Sequence, residues 1–222
     1  GCLAQREPDG LLADAGVDGV VGTGDPRKVL AAARRIMAGG RPRLVAAETF
    51  PGNRPLPRLV STFPYAYLKI AEGCSNRCSY CLIPSLRGRL RSRPADGLVR
   101  EAESLAAGGA REIVLVAQDT TAYGRDRSDG ASLARLVRRL GALAPVRIRI
   151  LYAHPAHLDG NFLDAMAETP NVCRYLDLPL QHVHPEILRR MNRPADDCRR
   201  LIALIRERVP AVIVEMKGAL MV

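Results

Sequence analysis

The chain has 222 residues, 47% of them hydrophobic, and a formal net charge of +10 from 33 Lys and Arg against 23 Asp and Glu. That length suits one domain or one and a half, and the apolar share suits a packed core rather than a disordered or fibrous chain. No stretch approaches the roughly 18 apolar residues of a membrane helix, and the segment from Gly1 to Glu7 lacks the charged-then-apolar order of a signal peptide. A soluble cytoplasmic protein with no membrane partner is expected.

The first part of the chain reads as α/β. Val17-Asp18-Gly19-Val20-Val21-Gly22 suits a short strand, and Asp25-Pro26 opens a helix through Val29, Leu30, Ala33 and Ile36 that Gly39-Gly40 stops. Prolines at 42, 51, 55, 57 and 64 then mark an extended connection. From Tyr65 the pattern alternates. Strands are expected at Tyr65 to Ala71, Ile113 to Ala117, Val146 to Tyr152, Tyr175 to Pro179 and from Ala211. Helices are expected around Leu98 to Ala106, Leu133 to Leu140, Phe162 to Ala167 and Cys198 to Val209. Such alternation implies parallel βαβ units, wound into either an open doubly wound sheet or a barrel. In both, functional residues gather at the carboxyl ends of the strands. Those ends carry Gly73-Cys74, Gln118 to Thr121, Ala153-His154-Pro155 and Gln181-His182.

The basic excess favours an anionic partner such as nucleic acid or a nucleoprotein. Lys28, Lys69 and Lys217 are the only lysines, so an arginine-rich composition accounts for the charge equally well. Cysteines stand at 2, 74, 78, 81, 173 and 198, and three of the six fall within eight residues. In a chain without a disulfide framework, that clustering points to metal or cluster ligation. Soft thiolates suit zinc or iron–sulfur clusters. A closed zinc site needs a fourth ligand, and no histidine or further cysteine lies nearby. Three cysteines can hold three irons of a cubane and leave one iron open for a substrate. Cys173 and Cys198 sit in apolar or helical contexts and read as small core residues.

Cys74-x3-Cys78-x-Tyr80-Cys81 resembles the motif of the radical S-adenosylmethionine superfamily. The flanks, Tyr65 to Cys74, Ile83 to Gly88 and Arg91-Ser92-Arg93-Pro94, resemble its methylthiotransferase family. Within it, Gln118-Asp119-Thr120-Thr121 and Leu178-Pro179-Leu180-Gln181-His182 resemble the ribosomal-protein branch rather than the tRNA branch. The resemblance implies a partial, TIM-like parallel barrel of the radical SAM type over residues 65–222. A remnant of an α/β N-terminal domain precedes it over residues 1–45, and residues 46–64 form a linker. It implies that Cys74, Cys78 and Cys81 hold a [4Fe–4S] cluster that binds S-adenosylmethionine, with the backbone near Tyr80 against the adenine. Gln118, Thr120 and Gln181 are candidates for touching that cofactor. Cys2, in Gly1-Cys2-Leu3-Ala4-Gln5, resembles the last ligand of a second [4Fe–4S] cluster. The implied activity is methylthiolation of the β-carbon of an aspartate in ribosomal protein S-twelve, with electron and sulfur donors unspecified; a tRNA adenosine is the alternative substrate. The chain departs from the family in starting at the third N-terminal cysteine, in reading Val214-Glu215-Met216-Lys217-Gly218 where a Gly-Phe-Pro-Gly-Glu-like stretch is expected, and in carrying no β-rich C-terminal domain. The expectation is a fragment, in which one thiolate cannot hold the second cluster; an inactive iron–sulfur-binding remnant is the other alternative.

Overall fold

A computed structural model describes residues 1–25, 27–45, 63–143, 145–193 and 198–218. The N-terminal part places α1 (Cys2–Arg6) and α2 (Pro8–Ala13) before a small parallel pair, β1 (Val20–Val21) and β2 (Arg43–Leu44), joined through α3 (Arg27–Met37). The expected linker, residues 46–64, falls almost wholly outside the described residues.

Apolar runs build the larger part. β3 (Tyr65–Lys69) is followed by a short antiparallel pair, β4 (Ala71–Glu72) with β5 (Arg91–Ser92). The stretch between β4 and β5 contains α4 (Ile83–Arg87). Then come α5 (Ala95–Ala107), β6 (Glu112–Val116), α6 (Leu133–Gly141), β7 (Arg147–Ile150), a 3-10 turn at Pro155–His157, α7 (Gly160–Glu168), β8 (Tyr175–Gln181), α8 (Pro185–Arg190), α9 (Cys198–Arg208) and β9 (Ile213–Gly218).

Strands β3, β6 and β7 pair in parallel, with Tyr65 beside Glu112 and Glu112 beside Arg147. β8 pairs in parallel with β9. One parallel bridge, Ile148 to Val172, and the bond from Ala153 N–H to the Asp177 carbonyl join the two groups. Each strand is therefore added beside its predecessor, always on the same side. A doubly wound sheet reverses strand order at a switch point; this order does not, and it is that of a barrel. The structure thus resolves the pair of architectures left open by periodicity.

The core follows from that winding. Leu68, Ile113, Leu115, Ile148, Ile150, Leu176 and Leu178 come from the strands, Ile70 from between β3 and β4, and Leu98, Leu105, Leu136, Leu140, Leu163 and Met166 from the covering helices. β6 is apolar and buried along its middle, as a strand covered on both faces should be, whereas β7 alternates Arg147 and Arg149 with buried Ile148 and Ile150, and β8 carries Asp177 between buried Leu176 and Leu178. Among the described residues no helix is long and apolar enough to cross a membrane.

Candidate cluster and cofactor site

The three clustered cysteines sit on the loop between β4 and α4. Gly73 enters it at φ +75, and a Cβ there would lie 2.2 Å from the Arg89 carbonyl oxygen, so only glycine fits. Cys74 N–H donates to the Gly88 carbonyl, and Leu90 N–H donates to the Ser75 hydroxyl, closing the loop's first half onto its return. Cys81 N–H bonds to the Cys78 carbonyl, closing a turn between these two cysteines, and Ile83 N–H points at Cys81 Sγ from 3.4 Å. The second half is strapped to the end of α8. Ser79 N–H donates to the Met191 carbonyl, Ser79 Oγ to the Arg190 carbonyl, and Asn192 Nδ2 to the Arg77 carbonyl at 2.6 Å.

All three thiols are free, Cys74 buried and the others half-buried. Burial pushes the Cys74 thiol up, and Asp119, Cys81 and Cys78 nearby add to the push. Three thiols that repel one another's ionised forms ask for positive charge between them, which iron supplies.

A pocket of about 230 Å³ opens beside Cys74, lined also by Asn76, Asp119, Arg125, Asp126 and His157. Asp119, at the end of β6, is 1% exposed. Its carboxylate accepts from Asn76 Nδ2, Thr121 Oγ1 and Ala122 N–H, and it pairs with His157 Nδ1 at 2.7 Å. Burial alone would raise this carboxyl, but the bonds from His157, Thr121 and Asn76 together outweigh it and hold it below the usual carboxylate value. Asn76 thereby ties the cysteine loop to the rim of the barrel.

His154 completes a group with Asp119 and His157, their ligand-type atoms within 4.8 Å of one another. Burial, and then the Arg193 charge, push its imidazole down to about 4. Its Nδ1 accepts from Ala156 N–H, so Nε2 carries a hydrogen rather than a lone pair for a cation. Asp119 already takes four donors, while His154 Nε2 is buried with no hydrogen-bond partner among the described residues. His154 is buried and His157 half-buried in the rim.

The remaining expected residues divide. Gln118 Oε1, just past the end of β6, is buried with no partner among the described residues, an acceptor that suits a cofactor's ammonium group. Tyr80 is 49% exposed beside Cys78. Gln181 ends β8 half-buried at φ +72. Thr120 is fully buried, and its hydroxyl lies 2.7 Å from the Leu151 carbonyl and 3.0 Å from that of Tyr152, linking the segments that follow β6 and β7. Cys2 lies on the other side of α4. Its Sγ is 3.5 Å from Arg87 Nη2, while Arg87 Nη1 binds the buried Glu72 at 2.9 Å. Thr23 Oγ1 donates to the Leu86 carbonyl at 2.9 Å, so the N-terminal part rests on the helix that follows the cysteine loop.

The sequence reading missed Arg193, whose Nη1 lies 3.6 Å from Cys78 Sγ and 3.5 Å from the Tyr80 hydroxyl. Asn192-Arg193 follows α8 by two residues, and no local pattern signals the return to the loop.

The model of the Radical SAM superfamily matches residues 68–218. The chain belongs to the radical SAM superfamily. Three free thiols on one rim loop, an orphaned acceptor at Gln118 and a pocket beside Cys74 fit the [4Fe–4S] cluster and S-adenosylmethionine that this superfamily uses. A ribosomal protein uS12 methylthiotransferase RimO from Desulforudis audaxviator (strain MP104C) is 52% identical over 219 residues, 96% of this chain and 49% of that protein. One from Thermosynechococcus vestitus (strain NIES-2133 / IAM M-273 / BP-1) is 46% identical over the same shares. The chain thus spans about half the length of the curated relatives it matches. Among solved structures, the radical S-adenosylmethionine methyltransferase TsrM from Kitasatospora setae, with cobalamin and a [4Fe-4S] cluster bound, aligns with a TM-score of 0.54 at 24% identity, over 69% of this chain and 30% of that one. That likeness supports the barrel fold.

Proposed function

We propose that this chain carries the radical-generating core of a ribosomal protein uS12 methylthiotransferase, which adds a methylthio group to the β-carbon of an aspartate. The observation that carries the reading is the match of 96% of the chain to enzymes of that name at 42–52% identity. The tRNA alternative has no comparable support.

Cys74, Cys78 and Cys81 would ligate three irons, and Gln118 Oε1 would accept from the cofactor's ammonium group. The backbone at Tyr80 would face the adenine, with Gln181 at the neighbouring strand end. Bound there, the cluster and S-adenosylmethionine would supply a carbon-centred radical for hydrogen abstraction. The protein's own part is placement. Asn76 and His157 fix Asp119 at the pocket wall, and Gly73 lets the loop approach Arg89 closely. Residues 1–45, with Cys2, belong to the domain that holds the second cluster, residues 46–64 link it to the core at 65–222, and the enzyme works in the cytoplasm. Its partners are uS12, S-adenosylmethionine, an electron donor and a sulfur donor.

The test is mass spectrometry of uS12 and, separately, of tRNA from the host lacking the whole gene. Complementation with the intact gene should restore the methylthio group on uS12, and complementation with C74S, C78S or C81S should not. Methylthiolated uS12 in the deletion strain would refute the assignment; loss confined to tRNA would move the substrate.

A further inference from the structure

Arg193 is 8% exposed, yet among the described residues its guanidinium has no carboxylate partner. It donates from Nη2 to the Pro179 carbonyl and directs Nη1 at Cys78 Sγ, 3.6 Å away. Its placement is built, not incidental. Asn192 takes the left-handed conformation at φ +52 just after α8, and Arg193 N–H bonds to the Leu188 carbonyl, which turns the chain back toward the cysteine loop. Asn192 Nδ2 and the Met191 carbonyl hold that loop on either side of Cys78.

A buried cation is costly unless negative charge meets it. Here the group it faces is a cysteine that becomes an ionised ligand when the cluster forms. We propose that Arg193 is a positioning residue for the cluster, donating a charge-assisted hydrogen bond to the Cys78 thiolate and thereby raising the cluster's reduction potential. The physical basis is general. Reduction adds negative charge to the cluster, and hydrogen bonds and cations at its sulfurs favour the more negative state. The same bond orients Cys78 from outside the loop, through a side chain that is itself pinned to β8.

The proposal rests on the three-cysteine ligand assignment, so the experiment includes the parent chain. Anaerobic reconstitution with iron and sulfide, iron and sulfide analysis, and a redox titration followed by EPR would be run on the parent, Arg193→Met and Arg193→Lys. Both variants are expected to bind a full cluster. At a fixed poise, the oxidised-to-reduced ratio of Arg193→Met should rise about tenfold, equivalent to about 59 mV more negative for a one-electron couple. Arg193→Lys, which keeps a cation but loses the fork, should fall between. A loaded Arg193→Met that titrates with the parent overturns the proposal. So does loss of cluster from both variants with unchanged circular dichroism, because Arg193 would then act only through the shape of the loop. A parent that forms no [4Fe–4S] signal overturns the ligand assignment itself.

Discussion

Gly73 and His154 show how single residues hold the site. A side chain at Gly73 would meet the Arg89 and Gly88 carbonyl oxygens and would have to adopt φ +75. Gly73→Ala should therefore destabilise the fold by about 2–4 kcal/mol, measured by denaturant unfolding. His154 carries a pH signature. Its folded-state value is about 4 against 6.5 for the free side chain. The unfolded chain thus binds the extra proton first, so this group's contribution is present above pH 6.5 and is lost as pH falls toward 4. That difference is worth about 3 kcal/mol at most. Asp119, held below 3.8, loses its contribution only at more acid pH. His154→Asn should flatten the slope of unfolding free energy between pH 6.5 and 4, in a setting that also contains Asp119, His157 and Arg193. The cysteine triplet was legible because its spacing is local. Arg193 was not, because it reaches Cys78 across 115 residues, and nothing in a linear pattern encodes that approach. The contacts of Thr120 were illegible for a related reason: a hydroxyl at a strand end can serve a ligand or the next strand, and its neighbouring carbonyls come from residues 31 and 32 positions away.

At the scale of elements, the strands and long helices were readable because each buries an apolar stripe. β6 is apolar and buried along its middle, and α5 repeats Leu98, Ala102 and Leu105 at helical spacing. The short elements α4 and α8 were not readable. They are five and six residues long, mostly half-exposed, and exist by virtue of what they strap together. α4 is the clearest case. Arg87 on it joins Glu72, whose side chain is 1% exposed and also pairs with Lys69. Glu72→Ala would leave two partly buried cations facing each other and should cost about 3–5 kcal/mol, read by thermal unfolding. At the start of α6, Ser132 Oγ accepts from Arg135 N–H at 3.3 Å. Ser132→Ala should cost about 1 kcal/mol in the same assay, a control for an ordinary cap remote from the cysteine loop.

Across the whole molecule, strand order was the one architectural question that periodicity could not answer, because it depends on which strands pair rather than on which residues are apolar. The sequential order brings the ends of β3, β6, β7 and β8 to one rim, where the cysteine loop, Gln118, His154 and Gln181 meet. A cluster bound there would cross-link the loop to β8 through Cys78 and Arg193. Reconstituted protein should therefore melt at a higher temperature than the iron-free form, since a ligand bound only by the folded state stabilises it. Cys74→Ser should abolish that difference while leaving the iron-free melting temperature nearly unchanged.

The strap between the cysteine loop and the end of α8 also sets a schedule for the newborn chain. Arg77, Cys78 and Ser79 leave the ribosome 111–115 residues before Arg190, Asn192 and Arg193. At 5–20 residues per second, that interval is roughly 6–23 s. Throughout it Cys78 lacks Arg193 and the loop lacks its second wall, which leaves the thiols open to oxidation or to stray metal. Iron–sulfur insertion belongs after the completion of α8, and slowing translation downstream of Cys81 would lengthen the time in which the thiols can be lost.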